Sequence, residues 1–260
     1  MNIGQPSETA RRVAAQRLHF KRVPAAFGDP ASDDALATGV AAGVEARGTL
    51  TRYLEARTRF FDRVVVGALG AGIDQAVVGA AGYDGRCFRY AKPGVKWFEV
   101  DHPATQADKL SRVRALGVAT DHVRFVPADF ETDDVGAALT GAGLDVDLPS
   151  VFTLEGVAVY LERATLASVL VQLRSVAGPG SRLAISLSVS GDFAEHQLRR
   201  AAFRDAVQAL GEPVRSSVTP DEVDSFLGGC GWSPVGRESD PEGRARGAGL
   251  VLAEPIAYVS

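Results

Sequence analysis

Cysteine is scarce in this chain: Cys87 and Cys230 are the only two in 260 residues. They lie far apart, with no C-x-x-C pair and no Cys/His spacing for zinc, so neither a disulfide framework nor a metal site is expected. Both thiols are expected to be reduced, in a cytoplasmic setting. Long apolar runs are missing too. None approaches the roughly 20 residues of a membrane-spanning helix, and Met1 to Arg12 is polar, without the apolar centre of a secretory signal. No Lys/Arg cluster builds a basic face, and the net charge is −4, which argues against a nucleic-acid partner. Internal repeats and low-complexity linkers are also lacking.

What is present suits one large α/β domain: 260 residues, 46% hydrophobic, mean hydropathy +0.02. Ser7-Glu8-Thr9-Ala10 reads as a helix start with Ser7 as cap, running to about Lys21. Asp29-Pro30 starts a second helix, and a third spans about Thr49 to Phe61. These residues, 1–62, are expected to form a helical lid on a core of 63–260. Strand patterns then alternate with helix patterns. Strands are expected at Lys96–Val100, Val123–Pro127, Val151–Leu154 and Arg182–Val189. Helices are expected at Gln106–Leu116, Val135–Thr140 and Arg163–Val176. Such βα units imply a mostly parallel sheet covered on both faces. Phe193–Leu210 reads as an amphipathic helix within an insertion at Asp192–Val214. A helix at Pro220–Gly228 and strands at Val235–Glu238 and Leu250–Glu254 close the chain.

The stretch Val64 to Asp74 is the organising element of this reading. Val64-Val65-Val66 resembles a strand buried on both faces. Gly70-Ala71-Gly72 would turn sharply and approach a ligand, and Ile73–Ala81 would be the following helix. The full G-x-G-x-x-G fingerprint fails because Gln75 stands at the third glycine. An ordinary βα turn remains the alternative.

Acidic residues follow the later strands. Glu99-Val100-Asp101-His102-Pro103 places carboxylates where this fold class holds a ribose, and a carboxylate can accept both hydrogen bonds of a vicinal diol. Asp101 lies 29 positions after Gly72, not the roughly 20 of a dinucleotide enzyme. It reads equally as a helix cap before Pro103. Asp129-Phe130 ends the third strand, where an Asp and an aromatic ring could face an adenine or form a plain surface turn. Glu155 ends the fourth, beside the expected switch in strand order, as a ligand group, a cap or a core salt bridge. Tyr160 follows shortly after and could equally belong to the core.

Five motifs occur in order: Arg57-Thr58-Arg59-Phe60-Phe61-Asp62, Gly70-Ala71-Gly72-Ile73-Asp74, Phe98 through Pro103, Ala128-Asp129-Phe130, and Glu155 through Leu161. In this the chain resembles the leucine carboxyl methyltransferase-like family of S-adenosylmethionine-dependent methyltransferases, and more closely its bacterial O-methyltransferase branch. The resemblance implies a class I methyltransferase fold: a seven-stranded, mostly parallel sheet of order 3-2-1-4-5-7-6 with an antiparallel seventh strand. It implies S-adenosyl-L-methionine as cofactor, S-adenosyl-L-homocysteine as product and no metal. Arg57 would hold the methionine carboxylate, and Gly70, Ala71 and Gly72 would border the methionine. Asp101 and His102 would lie at the ribose, Asp129 and Phe130 at the adenine, and Glu155 at the methionine end. Gln75-Ala76 would replace a Thr-Arg pair common in the family.

The expected activity is methyl transfer to a carboxylate or hydroxyl oxygen of a small molecule, possible in secondary metabolism. Tyr160, Arg200 and Phe203 are candidate acceptor contacts. A carboxylate needs no general base; a hydroxyl would make His19 and His196 candidates. A silent cofactor-binding protein and a nicotinamide-dependent oxidoreductase are the alternative classes.

Overall fold

A computed structural model describes residues 7–42, 51–189, 214–238 and 248–257. Three helices lead the chain: α1 (Glu8–Arg17), α2 (Pro30–Ala41) and α3 (Thr51–Gly70). Ser7 caps α1 by accepting from the Ala10 N–H, and Asp29 caps α2 with Pro30 in its first turn. Then follow β1 (Gln75–Gly79), α4 (Arg86–Arg89), β2 (Lys96–Asp101), α5 (Pro103–Ala115), β3 (Val123–Pro127), α6 (Val135–Gly141) and β4 (Ser150–Leu154). A short 3-10 turn (Ala158–Tyr160), α7 (Arg163–Ser175), β5 (Arg182–Ser188), α8 (Glu222–Gly229), β6 (Trp232–Glu238) and β7 (Ala248–Pro255) complete it.

The seven strands form one sheet in the order β3-β2-β1-β4-β5-β7-β6. The first five are parallel, and β7 runs antiparallel to both neighbours. This is the expected class I methyltransferase topology. Alternating residues feed two cores. Val77, Phe98, Val100 and Phe152 face α6, α7 and α8 on one side. Ala76, Val78, Trp97 and Val151 face α1 to α5 on the other. Because consecutive Cβ atoms point to opposite faces, a continuous apolar strand fills both layers at once.

The first strand lies elsewhere than its sequence suggests. Val64, Val65 and Val66 belong to α3, whose buried positions Leu54, Arg57, Thr58, Phe61, Val65, Ala68 and Leu69 recur at helical spacing. Val65 alone of the three valines is buried. Gly70-Ala71-Gly72 ends that helix, exposed, before the N-terminal end of β1. The segment expected as a helix from Ile73 contains β1 itself. Gln75 disguises it, because a buried amide in a central strand needs partners. It has them: Nε2 donates to the Asp145 carbonyl (2.8 Å) and Ser150 Oγ (3.1 Å), and Oε1 accepts from the Asp145 N–H (2.8 Å). The boundary drawn at Asp62 also falls inside α3.

Candidate cofactor site

β1 continues into Ala80-Ala81-Gly82-Tyr83-Asp84-Gly85, and this loop takes the place expected of Gly70-Ala71-Gly72. Parallel register brings its start beside the end of β2, with Gly79 opposite Val100 and, on the other flank, Leu154 of β4. Strand order reverses between β1 and β4, the position where open α/β sheets bind ligands. An added Cβ at Gly82 would stand 2.9 Å from the Ala10 side chain, so α1 packs directly on the loop. Gly82 has φ +50°.

Asp101 closes the loop from β2. Its Oδ2 accepts from the Gly82 N–H in a short hydrogen bond, and Oδ1 accepts from the His102 N–H at 2.7 Å. Gly82 precedes Asp101 by 19 positions, the spacing missing when Gly72 was the reference. Burial pushes the Asp101 carboxyl up to about 6, against the two backbone donors that favour its charged form. The cap of α5 is His102, whose Nδ1 accepts from the Ala104 N–H at 3.2 Å with Pro103 in the first turn.

At the end of β4, Glu155 meets three arginines. Its side chain is 5% exposed. Arg57 Nε of α3 donates to Oε1 at 3.0 Å; Arg86 Nη1 of α4 and Arg17 Nη2 of α1 reach Oε2 at 2.6 and 3.0 Å. Asp84 on the loop pairs with Arg86 and, at 3.3 Å, Arg17. Asp62 of α3 accepts from Arg86 Nε (2.8 Å) and Arg22 Nε (2.7 Å). Burial opposes ionisation of Glu155, but Arg86, Arg17 and Arg57 outweigh it and hold the carboxyl well below the usual range. For Asp84 burial is likewise outweighed, by Arg86 and Arg17. Glu155 is thus a core salt bridge in the structure, with its charge fixed as an anion. Arg17 Nε, Gln16 Oε1 and Thr58 Oγ1 are buried without a hydrogen-bond partner.

Phe130 reaches the end of β1, 3.5 Å from where a Gly79 Cβ would lie. Asp129 forms a turn: its Oδ1 accepts from the Glu131 N–H at 2.9 Å. Tyr160 lies near enough to Arg57 to favour its charged form. The structure therefore gathers Arg57, Asp101, His102, Phe130 and Glu155 around the loop, with Asp129 next to Phe130. It leaves Gly70, Ala71 and Gly72 out, because they precede β1 instead of following it. His19 is exposed beyond the end of α1. His196, Arg200 and Phe203, and nearly all of the 192–214 insertion, lie outside the described residues.

Arg17, Asp84 and Arg86, which complete the cluster at Glu155, are not among the residues singled out from the sequence. A usable signal existed: Gly79-Ala80-Ala81-Gly82 after Val77-Val78, at the proper distance from Asp101. With Asp84 as the motif acid, the next pair is Gly85-Arg86. Only the family threonine is then replaced, and the arginine is kept.

A doubly wound sheet of this order, with a glycine-containing loop after β1 and acids ending β2 and β4, defines the class I methyltransferase fold. The leucine carboxyl methyltransferase family model matches residues 12–174, and the chain belongs to that family. A protein assigned as an S-adenosyl-L-methionine-dependent methyltransferase in Mycobacterium sp. (strain JLS) is 38% identical over 200 residues, covering 71% of this chain. The matched part is 64% of that relative's length. The crystal structure of an assigned methyltransferase from Thermobifida fusca YX superposes with a TM-score of 0.66 over 98% of this chain and 97% of its own, at 19% identity. The 1,6-didemethyltoxoflavin-N1-methyltransferase of Burkholderia thailandensis, solved with bound 1,6-didemethyltoxoflavin and S-adenosylhomocysteine, gives a TM-score of 0.51 at 16% identity, over 90% of this chain and 94% of its own. Likeness at this identity extends to the fold. The family's cofactor is S-adenosyl-L-methionine. Among the described residues, no helix is long and apolar enough to cross a membrane.

Proposed function

We propose that this chain binds S-adenosyl-L-methionine across the ends of β1, β2 and β4 and transfers its methyl group to an oxygen of a small-molecule acceptor, first of all a carboxylate. The observation that carries the cofactor reading is the buried charge cluster at Glu155. Arg17, Arg57 and Arg86 face Asp62, Asp84 and Glu155. A zwitterion, one carboxylate and one ammonium, enters such a balanced cluster without leaving a buried charge uncompensated. Arg57 offers a guanidinium to the carboxylate, and the fixed anion of Glu155 suits the ammonium. The unpartnered Arg17 Nε supplies a further buried donor at this end.

Asp101 fits the ribose. Each of its oxygens accepts one backbone N–H and keeps a lone pair for a hydroxyl. Phe130 offers a ring to the adenine, with Asp129 and His102 at its rim. When bound, the cofactor supplies an electrophilic sulfonium methyl; the protein's part is to align the acceptor oxygen and exclude water. The lid role falls to the helices before the sheet, α1 first, since it already covers Gly82. Arg200 and Phe203, with Tyr160, are assigned to acceptor binding.

The carboxylate reading is supported by the histidines. Of the three in described residues, His102 caps α5, His122 Nε2 bonds the Cys87 carbonyl at 2.8 Å, and His19 is exposed. A carboxylic acid is ionised at neutral pH and needs no base. The test is a panel of carboxylic acids and phenols with methyl-labelled cofactor. The expected product is an ester, whose label is released as methanol by mild alkali, with His19→Ala and His196→Ala each within about tenfold of wild-type kcat. Alkali-stable label together with a loss of about 10²–10⁴ in either variant would move the acceptor to a hydroxyl. Cofactor binding with no transfer to any acceptor would favour the silent-binder alternative.

A further inference from the structure

Lys109 of α5 has no part in the site as drawn, yet its side chain is 1% exposed. Burying an unpaired ammonium is strongly unfavourable, so such a lysine survives only with close partners. It has two. Nζ donates to Glu99 Oε2 at 2.6 Å and to the backbone carbonyl of Asp84 at 2.5 Å. Glu99 lies on β2, two residues before Asp101. The other oxygen, Glu99 Oε1, is buried without a partner. The ammonium therefore joins β2 to the loop after β1.

That loop is held twice from the same strand. Asp101 grips the Gly82 N–H, and Lys109, anchored on Glu99, grips the Asp84 carbonyl two residues later. Between these points the backbone has little freedom. Asp84 then presents its carboxylate to Arg86 and Arg17, and both arginines continue to Glu155. A chain of direct contacts runs from Lys109 through Asp84 to the arginines at Glu155.

We propose that Lys109 is a positioning residue for the amino-acid end of the cofactor: by fixing the Asp84 carbonyl it sets where Arg17 and Arg86 stand around Glu155, without itself touching the ligand. This rests on the site proposed above. The competing account is a buried ion pair that serves folding alone.

The two accounts separate by removing the charges together. Lys109→Met alone leaves Glu99 buried and unpaired, a defect that destabilises the fold whatever Lys109 does at the site. The double variant Lys109→Met/Glu99→Gln removes both charges at similar volume. Glu99→Gln alone removes the anion but puts an amide oxygen in its place, which still accepts from Lys109 Nζ, so the donor to the Asp84 carbonyl is kept. Calorimetry would measure S-adenosylhomocysteine and 5′-methylthioadenosine, which has the adenosine and sulfur but no amino-acid end. In the double variant the Kd for S-adenosylhomocysteine is expected to rise at least tenfold, with that for methylthioadenosine within threefold and Tm within a few degrees of wild type. Glu99→Gln is expected to keep both affinities within threefold. Equal loss of both ligands, no loss of either, or a Glu99→Gln variant as impaired as the double would overturn the proposal. Failure of the site itself reads differently: Asp101→Ala would then leave wild-type affinity for both ligands unchanged.

Discussion

Asp101 carries opposite consequences for folding and for binding. Its folded carboxyl is raised to about 6 by burial, above the ordinary value of about 3.9. The folded state therefore holds this proton more tightly than the unfolded chain, so Asp101's contribution to stability falls as pH rises from about 4 to 6 and levels off above. A ribose diol donates to the ionised form, so ligand affinity should run the other way. Between pH 7 and pH 5 the Kd for S-adenosylhomocysteine is expected to weaken about tenfold, following the ionised fraction. Asp101→Asn should flatten that profile in calorimetry at the same pH values; an unflattened profile would place the titrating group elsewhere. Glu155 tests the charge cluster. Glu155→Gln leaves Arg17, Arg57 and Arg86 with one buried anion fewer, and thermal unfolding should show a loss of about 3–5 kcal/mol, the usual result of breaking a buried pair. At this scale the sequence is informative where a charged residue ends an apolar strand: Asp101 and Glu155 are singled out that way, and the structure places both beside the β1 loop or its ion-pair cluster. Arg17, Arg86, Asp62 and Asp84 were hidden because a charged residue on a helix or loop normally faces solvent. Only the packing of α1 and α3 onto the β1 loop buries them.

Elements were legible wherever period and length agreed. The expected β3 matches the observed strand residue for residue, and β2, β4, β5, α6 and α7 differ by one residue at one end. Larger differences fall at α1, which stops at Arg17 short of Lys21, and at α5 and β6, which start at Pro103 and Trp232, ahead of Gln106 and Val235. The largest departure is α3. A run of three valines suggests a strand, yet the apolar period of the preceding residues continues through Val65, Ala68 and Leu69, and that longer pattern decides. The helix reading has a consequence at Gly67, which is exposed in the last turn of α3 with nothing within 4 Å of an added Cβ. Gly67→Ala should stabilise the protein by up to about 1 kcal/mol, the gain of a helix interior being the upper bound in the last turn. Chemical denaturation measures it, and destabilisation would speak against the helix. Ala80 makes the complementary case. It holds φ +50° at the first loop position after β1, a conformation costing a residue with a Cβ about 1–2 kcal/mol. Ala80→Gly is therefore expected to be neutral or stabilising by up to about 1 kcal/mol, after the entropy that glycine brings to the unfolded chain.

Across the whole molecule, the fold was recovered from the βα alternation and the ordered motifs even with the first strand misplaced. The six following strands and their helices define a doubly wound sheet by themselves. The misplacement did distort one inference. Counting from Gly72 put Asp101 too late for a nucleotide fold, whereas counting from Gly82 gives the customary spacing. Spacing thus does not weigh against a nicotinamide enzyme; the family match over residues 12–174 does. The proposed cofactor seat is also a whole-molecule product: Arg17, Arg57, Arg86, Asp101 and Glu155 come from α1, α3, α4, β2 and the end of β4, and meet only when the helical layer docks on the sheet. The most direct test of this account is calorimetric titration of S-adenosylhomocysteine into the wild type and the Arg57→Ala and Asp101→Ala variants. The account predicts one site of micromolar Kd, roughly −8 kcal/mol, weakened by about 1.5–3 kcal/mol in each variant. Absence of binding in the wild type, or unchanged affinity in both variants, would contradict it.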